Sequence, residues 1–342
     1  MLFSQVVGHE KIKNVLMSSV NEGRVGHAYI FEGPQGVGRK SMAEAFANSI
    51  VCENPKDGIP CGSCKSCIMC RSGNHPDVQI ITNQLYDPSK KSTDILVDTV
   101  RNMKKDVYIK PYLAEHKVYI VPKADTMNVY AQNSLLKVLE EPPEYCTIIL
   151  IAENANMFLP TILSRGVQLK FSPLAKGLVE EYIKANYPEL GSNAKAIAAM
   201  STGAIGKAKH LAENNDILEL RETLFGHIGA ICGRGNKSIY DLTLFLKQNK
   251  ENIGFIIDAL REIFRDLLYF KQRGDCENIT NTDKIQEIEK IGENLYSDTP
   301  LRMLEVLVKY DEYFSKNISY AQIAQCMSLE LWEVINDRSY RC

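Results

Sequence analysis

Residues 28–41 read Ala-Tyr-Ile-Phe-Glu-Gly-Pro-Gln-Gly-Val-Gly-Arg-Lys-Ser. The apolar run Ala28 to Phe31 leads into the turn Gly33-Pro34-Gln35-Gly36-Val37-Gly38. After it, Met42, Ala43, Phe46, Ala47, Ile50 and Val51 recur at helical spacing. Strand, glycine-rich turn and helix are the build of a phosphate-binding loop, in which backbone N–H groups and the helix N-terminus hold an anion. A working loop reads G-x-x-x-x-G-K-[ST], with Lys on the β/γ-phosphates and a hydroxyl on Mg²⁺. Gly33 and Gly38 keep the spacing, but Arg39 stands at the lysine position and Lys40 at the hydroxyl position. Ser41 comes one place late, about 100° further round the helix. Arg39 keeps the charge in a bulkier, branched head, and Lys40 sets a cation where Mg²⁺ belongs. Gly33, Gly36, Gly38, Arg39, Lys40 and Ser41 thus predict the fold of a phosphate loop without productive ATP binding.

Hydrolysis also needs acids at a neighbouring strand end to hold Mg²⁺ and orient water. The matching strand, Lys117 to Val121, runs into Pro122-Lys123-Ala124-Asp125, with no carboxylate at its end. Asp125 reads instead as a helix N-cap. Two separate parts of the hydrolytic machinery are missing.

Five of the ten cysteines fall between Cys52 and Cys70. Cys52, Cys61, Cys64 and Cys67 form C-x8-C-x2-C-x2-C, and Cys70 adds a further x2 step. Four thiolates on a short loop suit tetrahedral Zn²⁺, and a closed four-Cys site is structural. The bland alternative is a set of buried reduced thiols, but Pro55, Lys56, Asp57 and Gly58 make the loop polar. Cys52, Cys61, Cys64 and Cys67 are the expected ligands, with Cys70 as the substitute; Cys146, Cys232, Cys276, Cys326 and Cys342 are expected to be core or surface thiols. Pro160-Thr161-Ile162-Leu163-Ser164-Arg165 precedes a final strand. From the residues alone, Arg165 reads as an ordinary surface arginine or a salt-bridge partner, with a finger reaching a neighbour's γ-phosphate as the sharper alternative.

Working outward, the first 172 residues alternate strands and helices. A helix is expected from about His9 to Asn21, with Ile12, Val15, Leu16 and Val20 on one face. Strands are expected at Val78–Ile81, Lys117–Val121, Thr147–Ala152 and Val167–Phe171, and a helix at Ala131–Glu140, stopped by Pro142-Pro143. This order predicts a parallel sheet covered on both faces. Beyond Phe171 the strand signal stops. Residues 173–213 read as a small helical domain and 214–342 as an all-helical one, with Ile256, Leu260, Ile263, Phe264 and Leu267 on one stripe, Leu304, Leu307 and Val308 on another, and a polar link from Gly274 to Asp283.

The length, 342 residues, fits two or three domains. With 45% hydrophobic and 24% charged residues the chain is ordinary globular protein, and a net charge of -2 argues against a dedicated nucleic-acid binder. No stretch of about 18 apolar residues predicts a membrane span, and residues 1–10 carry no charged-then-apolar leader, so a cytoplasmic location is expected.

His27-Ala28-Tyr29-Ile30-Phe31-Glu32-Gly33, the cysteine spacing, Asn74-His75-Pro76-Asp77, Lys117-Val118-Tyr119-Ile120-Val121, Gln132 to Pro143 and Leu163-Ser164-Arg165 together resemble the bacterial DNA polymerase III clamp-loader subunits. The resemblance is dense over about residues 5–172. It thins to about 211, where Ser201 to Ala208 resembles the family's second sensor region, and beyond that only Phe264-Arg265-Asp266-Leu267-Leu268 is similar. It implies an AAA+ core at 1–172 with a zinc module at about 52–70, a helical lid at 173–213 and a collar at 214–342 that joins a pentameric ring. Gamma/tau subunits of that family keep an intact loop and Asp-Glu after the second strand. The delta-prime type keeps fold and zinc module with a degraded ATP site, and Arg39, Lys40, Pro122 and Lys123 resemble that type. The resemblance also implies that Arg165, with Ser164, acts in trans on ATP held by a gamma/tau neighbour, although Gly166 stands where the family's motif has Cys. Implied partners are gamma/tau and delta subunits and, through the complex, the sliding clamp and primed DNA. A gamma/tau-like ATPase is the alternative. A lone zinc-bearing DNA-binding protein is disfavoured by the charge balance.

Overall fold

The computed structural model describes residues 1–90, 92, 94–191, 193–233, 237–276, 279–314 and 319–336. The chain forms two compact units, Met1–Tyr182 with Gly203–Lys207, and Ile183–Thr202 with the chain from Ala208 on.

In the first unit five strands, β1 (Ala28–Glu32), β2 (Val78–Ile80), β3 (Lys117–Val121), β4 (Cys146–Ala152) and β5 (Val167–Lys170), form one sheet in the order β2-β3-β4-β1-β5. Every pairing is parallel; Ala28 lies opposite Ile148 and Tyr29 opposite Val167. The helices are α1 (Glu10–Asn21), α2 (Arg39–Ile50), α3 (Lys65–Arg71), α4 (Asn83–Tyr86), α5 (Val97–Val107), α6 (Val129–Glu140) and α7 (Pro160–Leu163). Side chains of a strand alternate between faces. Accordingly Tyr29, Phe31, Val118, Ile120, Ile149 and Ile151 enter one apolar layer with Met42 and Phe46 of α2. Ala28, Ile30, Tyr119, Val121, Ile148 and Leu150 enter the other, with Met103 of α5 and Leu135 of α6. The central strands are hydrophobic throughout because both faces are covered. On α1, Leu16 is buried while Val15 is 51% exposed, so the inward stripe is narrower than its spacing suggests.

The remaining helices are α8 (Lys176–Asn186), α9 (Asn193–Met200), α10 (Ile205–Glu213), α11 (Asn215–Cys232), α12 (Lys237–Gln248), α13 (Ile253–Arg273), α14 (Ile285–Glu293), α15 (Thr299–Phe314) and α16 (Tyr320–Asn336). The division between the units falls within α8 and within α10. In the second unit Ile256, Leu260, Ile263, Phe264 and Leu267 of α13 are buried in one core with Leu307 and Leu331. Leu304 packs at its margin and Val308 is exposed. Gly274 ends α13 in the left-handed conformation that favours glycine. The link beyond it is not simply polar. Ile279, Thr280 and Asn281 are buried, and Asp266 accepts hydrogen bonds from the backbone N–H groups of Thr280 and Asn281 at 2.8 Å each. Arg221, also buried, binds Asp283 at 2.7 Å and Asn281 at 2.7 Å. Among the described residues no helix is long and apolar enough to cross a membrane.

Candidate functional site: a phosphate-loop turn, a thiol cluster and an arginine

The turn after β1 has the backbone of a phosphate loop. Gly33, Gly36 and Gly38 all have positive φ, and a Cβ at Gly33 would meet the carbonyl oxygen of Phe171 at 2.2 Å. Two carbonyls of the turn are tied down. Gly206 donates its N–H to the Gly36 carbonyl at 2.8 Å. The two glycines are so close that a Cβ on Gly206 would lie 3.1 Å from the Cα of Gly36. Nε2 of His9 binds the Val37 carbonyl at 2.9 Å. Burial lowers the pKa of His9, more than the Val37 carbonyl raises it, so the ring is a neutral donor.

Arg39, the residue in the lysine position, is turned into the protein. It is 8% exposed, and its Nη1 donates to the carbonyl of Ala152 at the end of β4. Burial lowers its pKa, opposed by the nearby carboxylates of Glu153 and Asp125. Lys40 is exposed and lies 3.9 Å from Glu44 one turn along α2. Two carboxylates at this end of the sheet accept backbone N–H groups. Asp125 is not the expected helix cap. Its Oδ2 accepts the N–H groups of Glu153 at 2.7 Å and Asn154 at 3.3 Å, and Glu32 accepts that of Ala155 at 3.2 Å. Asn128 caps α6 instead, accepting from Ala131 at 2.9 Å. Pro122 and Lys123 follow β3, with Lys123 at positive φ.

The structure gathers the sulfurs of Cys52, Cys61, Cys64 and Cys67 within 4.8 Å of one another. Cys52 lies 4.0 Å from Cys64 and Cys61 lies 3.9 Å from Cys67. Four thiolates about 2.3 Å from a tetrahedral Zn²⁺ stand about 3.8 Å apart, so the donor set fits that ion. Backbone N–H groups of Cys61, Cys64 and Cys67 donate to the sulfurs of Cys52, Cys61 and Cys64 at 3.2, 3.4 and 3.4 Å, which favours thiolate charge. Cys70 is outside the cluster. It packs against the apolar layer of α2, and burial pushes its thiol up to about 12. Cys146 and Cys232 are buried, Cys276 is half-buried and Cys326 exposed; Cys342 lies outside the described residues.

Arg165 follows α7, at the mouth of β5. Its Nη1 donates to the Thr161 carbonyl at 2.8 Å and its Nη2 is 3.0 Å from Oε1 of Glu140. The side chain remains 34% exposed. Ser164 turns its hydroxyl to the Thr161 carbonyl at 3.2 Å. Gly166 has a local reason: a Cβ there would press on the Ile30 side chain at 3.0 Å.

These features meet known proteins as a set. A family described as DNA polymerase III, delta subunit, matches residues 8–175. Subunit delta' of Bacillus subtilis DNA polymerase III is 29% identical over 82% of this chain and 83% of its own length. Subunit delta' of Pseudomonas aeruginosa is 34% identical over 54% of this chain and 55% of its own. The chain belongs to the DNA polymerase III clamp-loader family. Subunit tau of Bacillus subtilis is also similar, 28% identical over 90% of this chain, which spans 57% of that longer relative.

The structural roles of three features of this clamp-loader chain escaped the sequence reading. Asp77, 1% exposed, accepts the N–H groups of Tyr112, Leu113 and Ala114 at 2.6, 2.7 and 2.9 Å, pinning the loop before β3. Gln132 ties α6 to the turn after β4, donating to the carbonyls of Met127 and Met157 and accepting from Leu159 N–H at 2.8 Å. Arg101, Lys104 and Lys105 of α5 and Tyr108, which caps it, make a stripe, with Arg101 paired to Asp98 at 3.4 Å. Lys104 and Lys105 have no ion-pair partner among the described residues. Their i, i+3, i+4, i+7 spacing was the available signal for one basic face; the others are contacts between distant segments and left no local trace.

Proposed function

We propose that the chain is a non-hydrolysing clamp-loader subunit of the delta-prime type, a scaffold that completes a neighbour's ATP site through Arg165. The observation that carries this reading is Arg39. The side chain that should meet the β/γ-phosphates is buried on the Ala152 carbonyl. A nucleotide entering the cradle meets no lysine at the loop's lysine position and no carboxylate directly at the end of β3. Arg165 has the opposite setting, anchored yet reachable, as an arginine acting in trans must be.

In this reading residues 1–172 are an AAA+ core, 173–213 a lid and 214–342 a collar in a ring with gamma/tau and delta subunits, acting with the sliding clamp on primed DNA in the cytoplasm. Cys52, Cys61, Cys64 and Cys67 hold a structural Zn²⁺, which cross-links a loop that has little apolar core of its own. The stripe of Arg101, Lys104, Lys105 and Tyr108 suits a phosphate backbone, so a near-neutral chain still adds local positive charge to a shared DNA path.

The test is binding of a fluorescent ATP analogue to the purified chain, with and without Mg²⁺, up to about 1 mM. Absence of binding is expected. The 28% identity to a tau subunit over 90% of the chain favours a second reading, a gamma/tau-like ATPase. Mg²⁺-dependent turnover that falls in Lys40→Ala would establish it.

A further inference from the structure

We infer that Glu140 is a charge-tuning partner of Arg165, neutralising the arginine until a phosphate displaces the carboxylate. The inference rests on the finger reading above and specifies how that site is regulated.

Glu140 is the last residue of α6, and a carboxylate there opposes the helix dipole, whose C-terminal end already carries negative charge. What holds it is across the turn: Arg165 Nη2 at 3.0 Å. The guanidinium therefore has two supports of different kinds. The Thr161 carbonyl, at 2.8 Å from Nη1, is neutral and fixes direction. The Glu140 carboxylate is charged and cancels the positive charge that a transferring phosphoryl group requires.

The pair is open to water, with Arg165 34% and Glu140 49% exposed. An exposed ion pair is weak and exchangeable, unlike the buried pairing of Arg221 with Asp283 in the second unit. A γ-phosphate approaching across an interface presents more negative charge and takes the same guanidinium edge. The Thr161 carbonyl stays in place, so the arm keeps its direction when the carboxylate leaves. Glu140 is thus a positioning residue that holds turnover low while the neighbour's phosphate is out of reach.

The experiment uses the assembled complex with Glu140→Gln in this chain. Glutamine keeps an oxygen for Nη2 and removes the charge. The expected result is a rise of about two- to fivefold in kcat without DNA, the size an exposed ion pair supports, with KM for ATP unchanged. The rise should vanish in the Glu140→Gln, Arg165→Ala double variant. If Arg165→Ala abolishes stimulated turnover but Glu140→Gln leaves kcat unchanged or lowers it, the finger stands and this inference falls. A rise in Glu140→Gln that persists without Arg165 also overturns it. If Arg165→Ala alone has no effect, the finger reading fails and takes this inference with it.

Discussion

The turn that follows β1 and the turn that precedes β5 belong to adjacent strands, and each carries an arginine. Arg39 is 8% exposed and spends its guanidinium on the Ala152 carbonyl. Arg165 is anchored on the Thr161 carbonyl and Glu140 but stays 34% exposed. Burial makes the first charge part of the fold, whereas partial exposure leaves the second available. A substitution at one should therefore change what a substitution at the other leaves alone.

The largest effect is expected at Arg165. Loss of an arginine that stabilises a transferring phosphoryl group costs on the order of 10³-fold in turnover at the site it completes. In Arg165→Ala, DNA-stimulated ATP hydrolysis by the complex should fall at that site, while the melting temperature of the chain moves little, since an exposed ion pair contributes about 1 kcal/mol or less. Unchanged hydrolysis would remove the contrast between the two arginines.

The thiol loop comes next. Cys61 is exposed, so Cys61→Ser removes a sulfur with little loss of packing. Zinc content, measured on freshly reduced protein, should drop well below one per chain, and stability should fall by on the order of several kcal/mol as the loop loses its cross-link. Cys70→Ser, outside the cluster, should keep the metal. The reverse pattern would reassign the ligand set.

Arg39 supplies the other half of the comparison. Arg39→Met removes one of the two donors on the Ala152 carbonyl, which keeps the Gly33 N–H at 3.1 Å, so the loss is about 1 kcal/mol, measurable as a slightly lower denaturation midpoint. ATP binding by the isolated chain should stay absent, because methionine brings no cation to the β/γ-phosphates and the acid after β3 is still missing. Binding of ATP by Arg39→Met would mean that this one side chain closes the cradle.

How much of this was legible follows from the range of each interaction. The order of strands and helices and the two-faced sheet came from local periodicity, and the four clustered cysteines from spacing. Asp125 misled because a carboxylate three residues past a strand looks like a local cap, whereas its partners are Glu153 and Asn154 on another strand's exit. Val15 and Val308 misled for a related reason: a helical stripe marks which side is apolar but not how wide the covering neighbour is. The hydrogen bond from Gly206 to Gly36 was out of reach, since 170 residues separate the two. Arg165 could be singled out by resemblance, but its pairing with Glu140 needed coordinates.

The smallest effect tests the His9 contact beneath the loop through pH. His9, His75 and His227 all have pKa values lowered chiefly by burial. The unfolded chain protonates these rings near the ordinary value of about 6.5. The folded chain resists until the pH falls lower. Between those two points the unfolded state binds more protons, so stability is full above about 6.5 and declines as pH falls below it. His9 ties this to the loop, because its neutral ring holds the Val37 carbonyl. Glutamine can make the same bond without titrating. His9→Gln should therefore keep the stability found at about pH 7 and lose less of it on acidification to about pH 5.5, measured by denaturant midpoints at both values. An acid slope identical to the parent's would place the titration in His75, His227 or the thiol cluster and separate it from the loop.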